Sequence, residues 1–315
     1  MLLRRLLPLP LLLVVASVVA FALPRLVGGD TDSVVRAVLR ARVASATPDP
    51  QVEAAVAAQF GLDGPVVGQY LRWLGAVLRG DLGLGYVTRT PVAAQLGDAL
   101  AVSGLLAGCA LLLAAATGIP AGVYAARRPG GLLDRVLSAV GIAGVSVPEF
   151  VLAPWLVLVA AVWLGVLPAL GWGGPQHLVL PALTLAAYPA ALAAQLVRAE
   201  TIDVLARDHV RLARAKGLSE GRVLWRHAAR LGCVSVTALS GMFVAGLLGG
   251  SVVVEVVFGI PGAGRLMYDA VLARDLPVVQ AGTLVIVAVA VVAGIVVEVV
   301  ALLADPVARD REAAR

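Results

Sequence analysis

RLARAKGLSEGRVLWRH, residues 211–227, is the stretch on which the reading of this chain turns. It holds seven Arg, Lys, Glu or His residues in a protein that is 60% hydrophobic and 14% charged. Lys216 within it is the only lysine of the chain. Long apolar runs lie on both sides, so the segment reads as a polar link between two membrane spans. Basic residues gather in cytoplasmic loops, which puts residues 211–227 on the cytoplasmic side.

The rest of the composition agrees. Mean hydropathy is +0.94, and several runs exceed the roughly 18–20 apolar residues that cross a bilayer as a helix. The formal net charge of +5 is explained by basic loops, without nucleic-acid binding. Cys109 and Cys233 lie in apolar stretches without CxxC spacing and read as small core residues. GxxxxGK[ST] and HExxH patterns are absent, and His177, His209 and His227 fall in loops or at loop–helix junctions. No catalytic, cofactor-binding or metal-binding residue is expected in this chain.

Working outward, six spans with both termini cytoplasmic account for the pattern. The first follows Arg4 and Arg5. Its apolar run is longer than the ~7–15 residues of a signal-peptide core, so it is expected to be retained despite Ala20-Phe21-Ala22. The expected divisions are 1–27 for this span, 28–97 for an external segment and 98–305 for a core of five spans. That core contains a cytoplasmic loop at about 200–229, and a cytoplasmic tail covers 306–315. In the external segment, Val66, Val67, Tyr70, Leu71, Leu74, Val77 and Leu78 form a stripe suited to a helix lying against a surface. The apolar run 132–167, of about 36 residues, overshoots one straight crossing. Ser146-Val147-Pro148 and Pro154 are its expected breaks. A fifth span is expected at 231–253 and a sixth at 278–303. Among the short loops, Arg265 and Arg274 then fall outside against the charge rule, which long segments such as 28–97 escape.

Residues 200–216 are helix-compatible, with Ile202, Leu205, His209, Leu212 and Ala213 along one face. Gly217 fits the left-handed position after a helix end, and Leu218 the apolar residue that closes a Schellman stop. Ser219 is a suitable N-cap for a second helix. The stretch therefore predicts an elbow between two helices. The small residues Ala213, Ala215 and Gly217 would let another surface approach.

The residues of ARDHVRLARAKGLSEGRVLWRHAARLG (206–232) resemble the permease subunits of bacterial ABC importers, in the branch serving dipeptides, oligopeptides and nickel. Asp208, Val210, Arg211, Ala213, Arg214, Ala215, Lys216, Gly217, Leu218, Arg226 and His227 match the branch pattern. So do GLDGPVVGQYLRWLGAVLRGDLG (61–83), SVPEF (146–150), GSVVVEVVFGIPGAGRLMYDAVLARDLPVVQ (250–280) and Asp305-Pro306. His209 stands where tyrosine is usual, and Leu231, Ser235, Gly294, Glu298 and Ala301 also depart from the branch.

The resemblance implies an all-α fold of the type I ABC importer permease class, in a bacterial plasma membrane. It implies a coupling helix that docks on an ATPase subunit, assigned to Asp208, Arg211, Ala213, Arg214, Ala215, Lys216, Gly217, Leu218 and Ser219. The implied partners are a second permease, two ATPases that bind ATP and Mg²⁺, an external solute-binding protein and the lipid bilayer. Import of di- or oligopeptides is the first expectation, and nickel or a metal chelate the alternative. Ionisable residues in or near spans are functional candidates because lipid burial costs at least a few kcal/mol. Glu149 and Glu255, with Pro148 and Pro261 beside them, are the candidate pathway or external contacts. Glu298 reads as a carboxylate near the cytoplasmic end of the last span. A secondary transporter is the competing class, but it should show an internal repeat with midplane charges, and none is evident.

Overall fold

The computed structural model describes residues 8–28, 65–229, 243, 246–247 and 251–304. Among these the backbone is helical, apart from turns and one isolated antiparallel bridge between Leu84 and Pro91. The helices are α1 (Pro8–Gly28), α2 (Val66–Leu78), α3 (Val92–Ala126), α4 (Leu132–Ser146) and α5 (Glu149–Leu156). They continue with α6 (Pro175–Leu205), α7 (Asp208–Ala215), α8 (Glu220–Arg222), α9 (Val252–Phe258), α10 (Ala263–Leu272) and α11 (Leu276–Ala304). Two π-helical segments, Val157–Trp163 and Val223–Ala229, extend α5 and α8.

Three helices among the described residues are long and apolar enough to cross a bilayer: α3, α6 and α11 over Leu276–Val297. A fourth crossing arises if α4 and Glu149–Trp163 count as one span, bent by 109°. The bend falls at Val147-Pro148, because proline disfavours helical backbone in the residue before it. Val147 is extended, with ψ of 116°. Pro154 was the other expected break, yet it lies inside α5. Pro120, Pro181 and Pro189 are likewise accommodated within α3 and α6. The expected fifth span lies mostly outside the described residues, as do Cys233, Leu231, Ser235, residues 29–64 and the tail. The side chains of Arg226, His227 and Glu298 also lie outside them.

The chain divides into two compact units. The first comprises residues 1–102 and 261–289. Its core joins Val92 and Leu96 of α3 to Ala270 of α10 and Val278, Val279 and Ala281 of α11, with Leu82, Leu266, Met267 and Val285 against them. Asp275, 2% exposed, accepts hydrogen bonds from the backbone N–H of Tyr86 (2.9 Å) and Val87 (3.0 Å), fastening the 84–91 turn. Phe21 of α1 packs on Tyr70 and Trp73 of α2, with ring centroids 5.3 and 5.6 Å away. Of the α2 stripe, Tyr70, Leu74 and Val77 are partly buried, while Val66, Val67, Leu71 and Leu78 are exposed, and Gln69 and Trp73 join the inward side. Rings bury more area than short aliphatics, and Tyr70 also shares a 2.9 Å hydrogen bond with Ser17.

The second unit comprises residues 103–260 and 290–315. Its organising helix is α6, packed along α4 and against α3, α5 and α9. The seams are made of small residues. A Cβ at Gly118 or Gly122 of α3 would lie 2.5 Å from the carbonyl oxygen of Ala190 or Ala194. A Cβ at Gly144 of α4 would sit 2.9 Å from the Ala191 methyl. Apolar lipid provides no hydrophobic drive between spans, so close backbone approach at small residues is what holds them. The carboxylate of Asp134, 4% exposed, forms a bidentate ion pair with the Arg198 guanidinium, Oδ2 lying 2.8 Å from Nη2. Oδ2 also accepts the Gly130 N–H at 2.8 Å. This joins the 127–131 turn and the start of α4 to the last two turns of α6.

Candidate functional site

The charged stretch forms two short helices at the end of α6. The expected helix over 200–216 is interrupted: α6 ends at Leu205, Arg207 is extended (φ −76°, ψ 152°), and α7 starts at Asp208. Helical periodicity continues through 206–207, so no sequence signal marks this break. Val210 and Ala213 of α7 turn inward onto Val204 and Val223, with Leu205 and Leu218 packed against them. Among the residues of the expected stripe, Leu212 is 57% exposed and His209 is also exposed. Ala213 is 7% exposed and part of the unit's own core, so it cannot offer itself to another protein. Ala215 and Lys216 are exposed.

The stop after α7 has Schellman geometry. Leu218 N–H donates to the Ala213 carbonyl at 3.3 Å, and Gly217 N–H to the Arg214 carbonyl at 2.9 Å. Gly217 has φ of +78°, and a Cβ there would meet nothing within 4 Å. Glycine is thus required by the backbone angle, not by crowding. Ser219 occupies the N-cap position of α8 without a side-chain cap bond. Its backbone carbonyl instead accepts the Val223 N–H at 3.0 Å. The expected hydroxyl cap is therefore absent.

Arg214 grips Glu220 across the turn, Nε to Oε1 at 2.9 Å and Nη2 to Oε2 at 3.2 Å. This fork braces α7 against α8 and was not foreseen, because helical spacing rules do not reach across an elbow. Asp208, in the first turn of α7, lies 3.4 Å from Arg211 Nη1 in an exposed pair. Its charge suits the positive end of a helix dipole. The return arm packs back onto α3 and α6: Leu224 and Ala229 join Val123 and Val197. Trp225 meets Tyr124 edge-on at 5.8 Å. The elbow thus has a defined form, an inward apolar side and an outward side carrying Arg211, Leu212, Ala215, Lys216 and Arg222.

The other candidate residues do not form one site. Pro148 is exposed at the bend, and its carbonyl accepts the Val151 and Leu152 N–H groups at 3.0 Å. Glu149 begins α5 and is partly buried. Pro261 is exposed in the connection before α10. Glu255 was expected at an external end, in contact with solute or another protein. It is fully buried in the second unit, where Oε1 accepts hydrogen bonds from Ser103 Oγ (2.6 Å) and Ser251 Oγ (2.8 Å). A carboxylate in an apolar segment needs donors, and the hydroxyls provide them. Just beyond, Gly259 (φ +69°) ends α9 with a second Schellman stop, Ile260 N–H to the Glu255 carbonyl at 2.8 Å. Among the described residues no group of three His, Cys, Asp or Glu side chains is placed to hold a metal ion.

Residues 118–310 match the family described as binding-protein-dependent transport system inner membrane component. Over 306 residues, 97% of this chain and 97% of the relative, the sequence is 37% identical to the glutathione transport system permease protein GsiC of Escherichia coli O6:H1. It is 36% identical, with the same coverage, to the proteins of that name from Shigella flexneri serotype 5b and Escherichia coli strain K12. The matched region includes the elbow, the Asp134–Arg198 pair and Glu255.

Proposed function

This chain belongs to the family of binding-protein-dependent transport system inner membrane components, and from that premise we propose that it docks its ATPase through the elbow at 207–222. The chain is a multi-pass permease subunit of an ABC importer of the peptide and glutathione branch. Importers of this family combine permeases, ATPases and a solute-binding protein. In our reading this chain pairs with a second, different permease, and two ATPase subunits supply ATP and Mg²⁺ binding. Both termini and the elbow face the cytoplasm. Small peptides, including glutathione, are the proposed solutes, carried over from the relatives' name. Nothing in those names points to nickel, so that alternative is not taken further.

The observation carrying the docking reading is the elbow's outward side. The α7–Gly217–α8 turn presents Leu212 between Arg211 and Lys216, while its own core is filled by Val210 and Ala213. Arg214 is engaged by Glu220, so it shapes the elbow and is removed from the docking set. Ala213 is removed with it.

Co-purification tests the reading. The wild-type permease should retain ATPase subunits, and Arg211→Glu with Lys216→Glu should lose most of them. Undiminished retention in that double variant overturns the docking surface. Uptake of labelled glutathione and of labelled dipeptides by cells carrying the complete transporter tests the solute. Uptake of neither overturns the peptide assignment.

A further inference from the structure

The Asp134–Arg198 pair lies outside the elbow, and docking gives it no task. Its construction nevertheless exceeds what a surface contact needs. Both guanidinium contacts fall on a carboxylate that is 4% exposed, and the Gly130 N–H and Ser138 Oγ reach the same carboxylate. Arg198 is 31% exposed, so the pair is buried on its carboxylate side only. Removing the guanidinium leaves the Asp134 charge buried without its counter-ion, so the pair favours one arrangement of its two elements.

Its position is what matters. Leu205, at the end of α6, packs on both clusters that hold the elbow. Arg198 lies seven residues earlier on the same helix, about 10 Å along it at the usual rise. The elbow and the end of α6 are therefore one packed body. Asp134 belongs to α4, whose far end leads into the 109° bend at Val147-Pro148. Besides the Gly141 and Gly144 seam, the ion pair is a polar fastening between α6 and α4.

We propose that Asp134 and Arg198 are positioning residues for transport: a latch that makes α4 move with α6, so that displacement of the elbow reaches the bend between α4 and α5. The proposal rests on the docking reading above. Without the latch, the small-residue seam lets α4 slip while the elbow still engages its ATPase. ATP is then hydrolysed with less solute moved.

The test uses the complete transporter in proteoliposomes, with Asp134→Asn, Arg198→Gln and the double variant. ATPase retention, ATP hydrolysis and solute moved per ATP are measured for each. Both single variants should retain the ATPase subunits and hydrolyse ATP within about twofold of wild type. Solute moved per ATP should fall roughly three- to thirtyfold, the range expected when a coupling contact is broken. The double variant should lose no more than the worse single variant, since both remove one contact. An unchanged ratio in the single variants overturns the latch, as do additive losses in the double. If none of the variants assembles, the pair is a folding element only and the proposal is also overturned. A wild-type protein that retains no ATPase overturns the docking reading first, which separates the two failures.

Discussion

Gly217 shows how much a single backbone angle determines in this protein. With φ at +78° and open space where a Cβ would stand, Gly217→Ala meets a backbone cost of about 1 kcal/mol and no clash. Gly217→Val costs more, because a branched side chain fits the left-handed region poorly. ATPase retention should therefore fall in the order glycine, alanine, valine; equal retention would show that the turn is not needed. Glu255 gives the opposite case, in which partners decide. Glu255→Gln keeps an acceptor for Ser103 and Ser251, whereas Glu255→Leu strands both hydroxyls at ~1–3 kcal/mol each. Thermal unfolding of the purified protein should show a clearly lower Tm for the leucine variant than for the glutamine variant. Gly217 was legible in the sequence because a Schellman stop is local. The inward fate of Glu255 was not, because Ser103 lies 152 residues away along the chain. The engagement of Arg214 by Glu220 was hidden for a related reason: the turn that brings them together has to exist first.

At the level of the helix, hydropathy and proline carried the reading, and they failed where neither applies. The bend at Val147-Pro148 follows from proline's effect on its predecessor. The break between α6 and α7 contains neither proline nor glycine and was read through as continuous helix. Conversely, Pro120, Pro154, Pro181 and Pro189 sit inside helices, as membrane proteins tolerate where neighbouring groups satisfy the freed carbonyls. The stripe of α2 is legible in the sequence, but which part of it packs inward is not, since burial there follows the rings. The small-residue seam was overlooked, although GIPAG at 118–122 carries the GxxxG spacing that marks close helix approach. Gly122→Leu should separate α3 from α6 and destabilise the protein by about 1–3 kcal/mol, as overpacking does. Gly97→Leu, where a Cβ would meet nothing within 4 Å, is the matched control. Comparable loss of Tm in both would refute the seam.

Across the whole molecule, the broad class was readable from composition, because a chain this apolar has no water-soluble solution. Large apolar side chains remain exposed on the helices of span length and on the bent pair, among them Leu112 (74%), Val140 (63%), Val162 (65%) and Val292 (59%). Such side chains need an apolar neighbour, lipid or another helix. Leu112→Arg should cost roughly 2.5–3.5 kcal/mol at the centre of a span and lower the Tm of the purified protein. An unchanged Tm would place Leu112 outside an apolar environment.

The elbow also has an analytical use. Lys216 is the only lysine in the chain, and it stands exposed as the C-cap of α7 beside Gly217. Apart from the N-terminal amine, an acylating reagent therefore finds one target, at the surface proposed to meet the ATPase. A dye or a mass tag can be placed there on the unaltered sequence, and its rate of attachment becomes a footprint of occupancy. Attachment should slow when the ATPase binds and recover when it is stripped away.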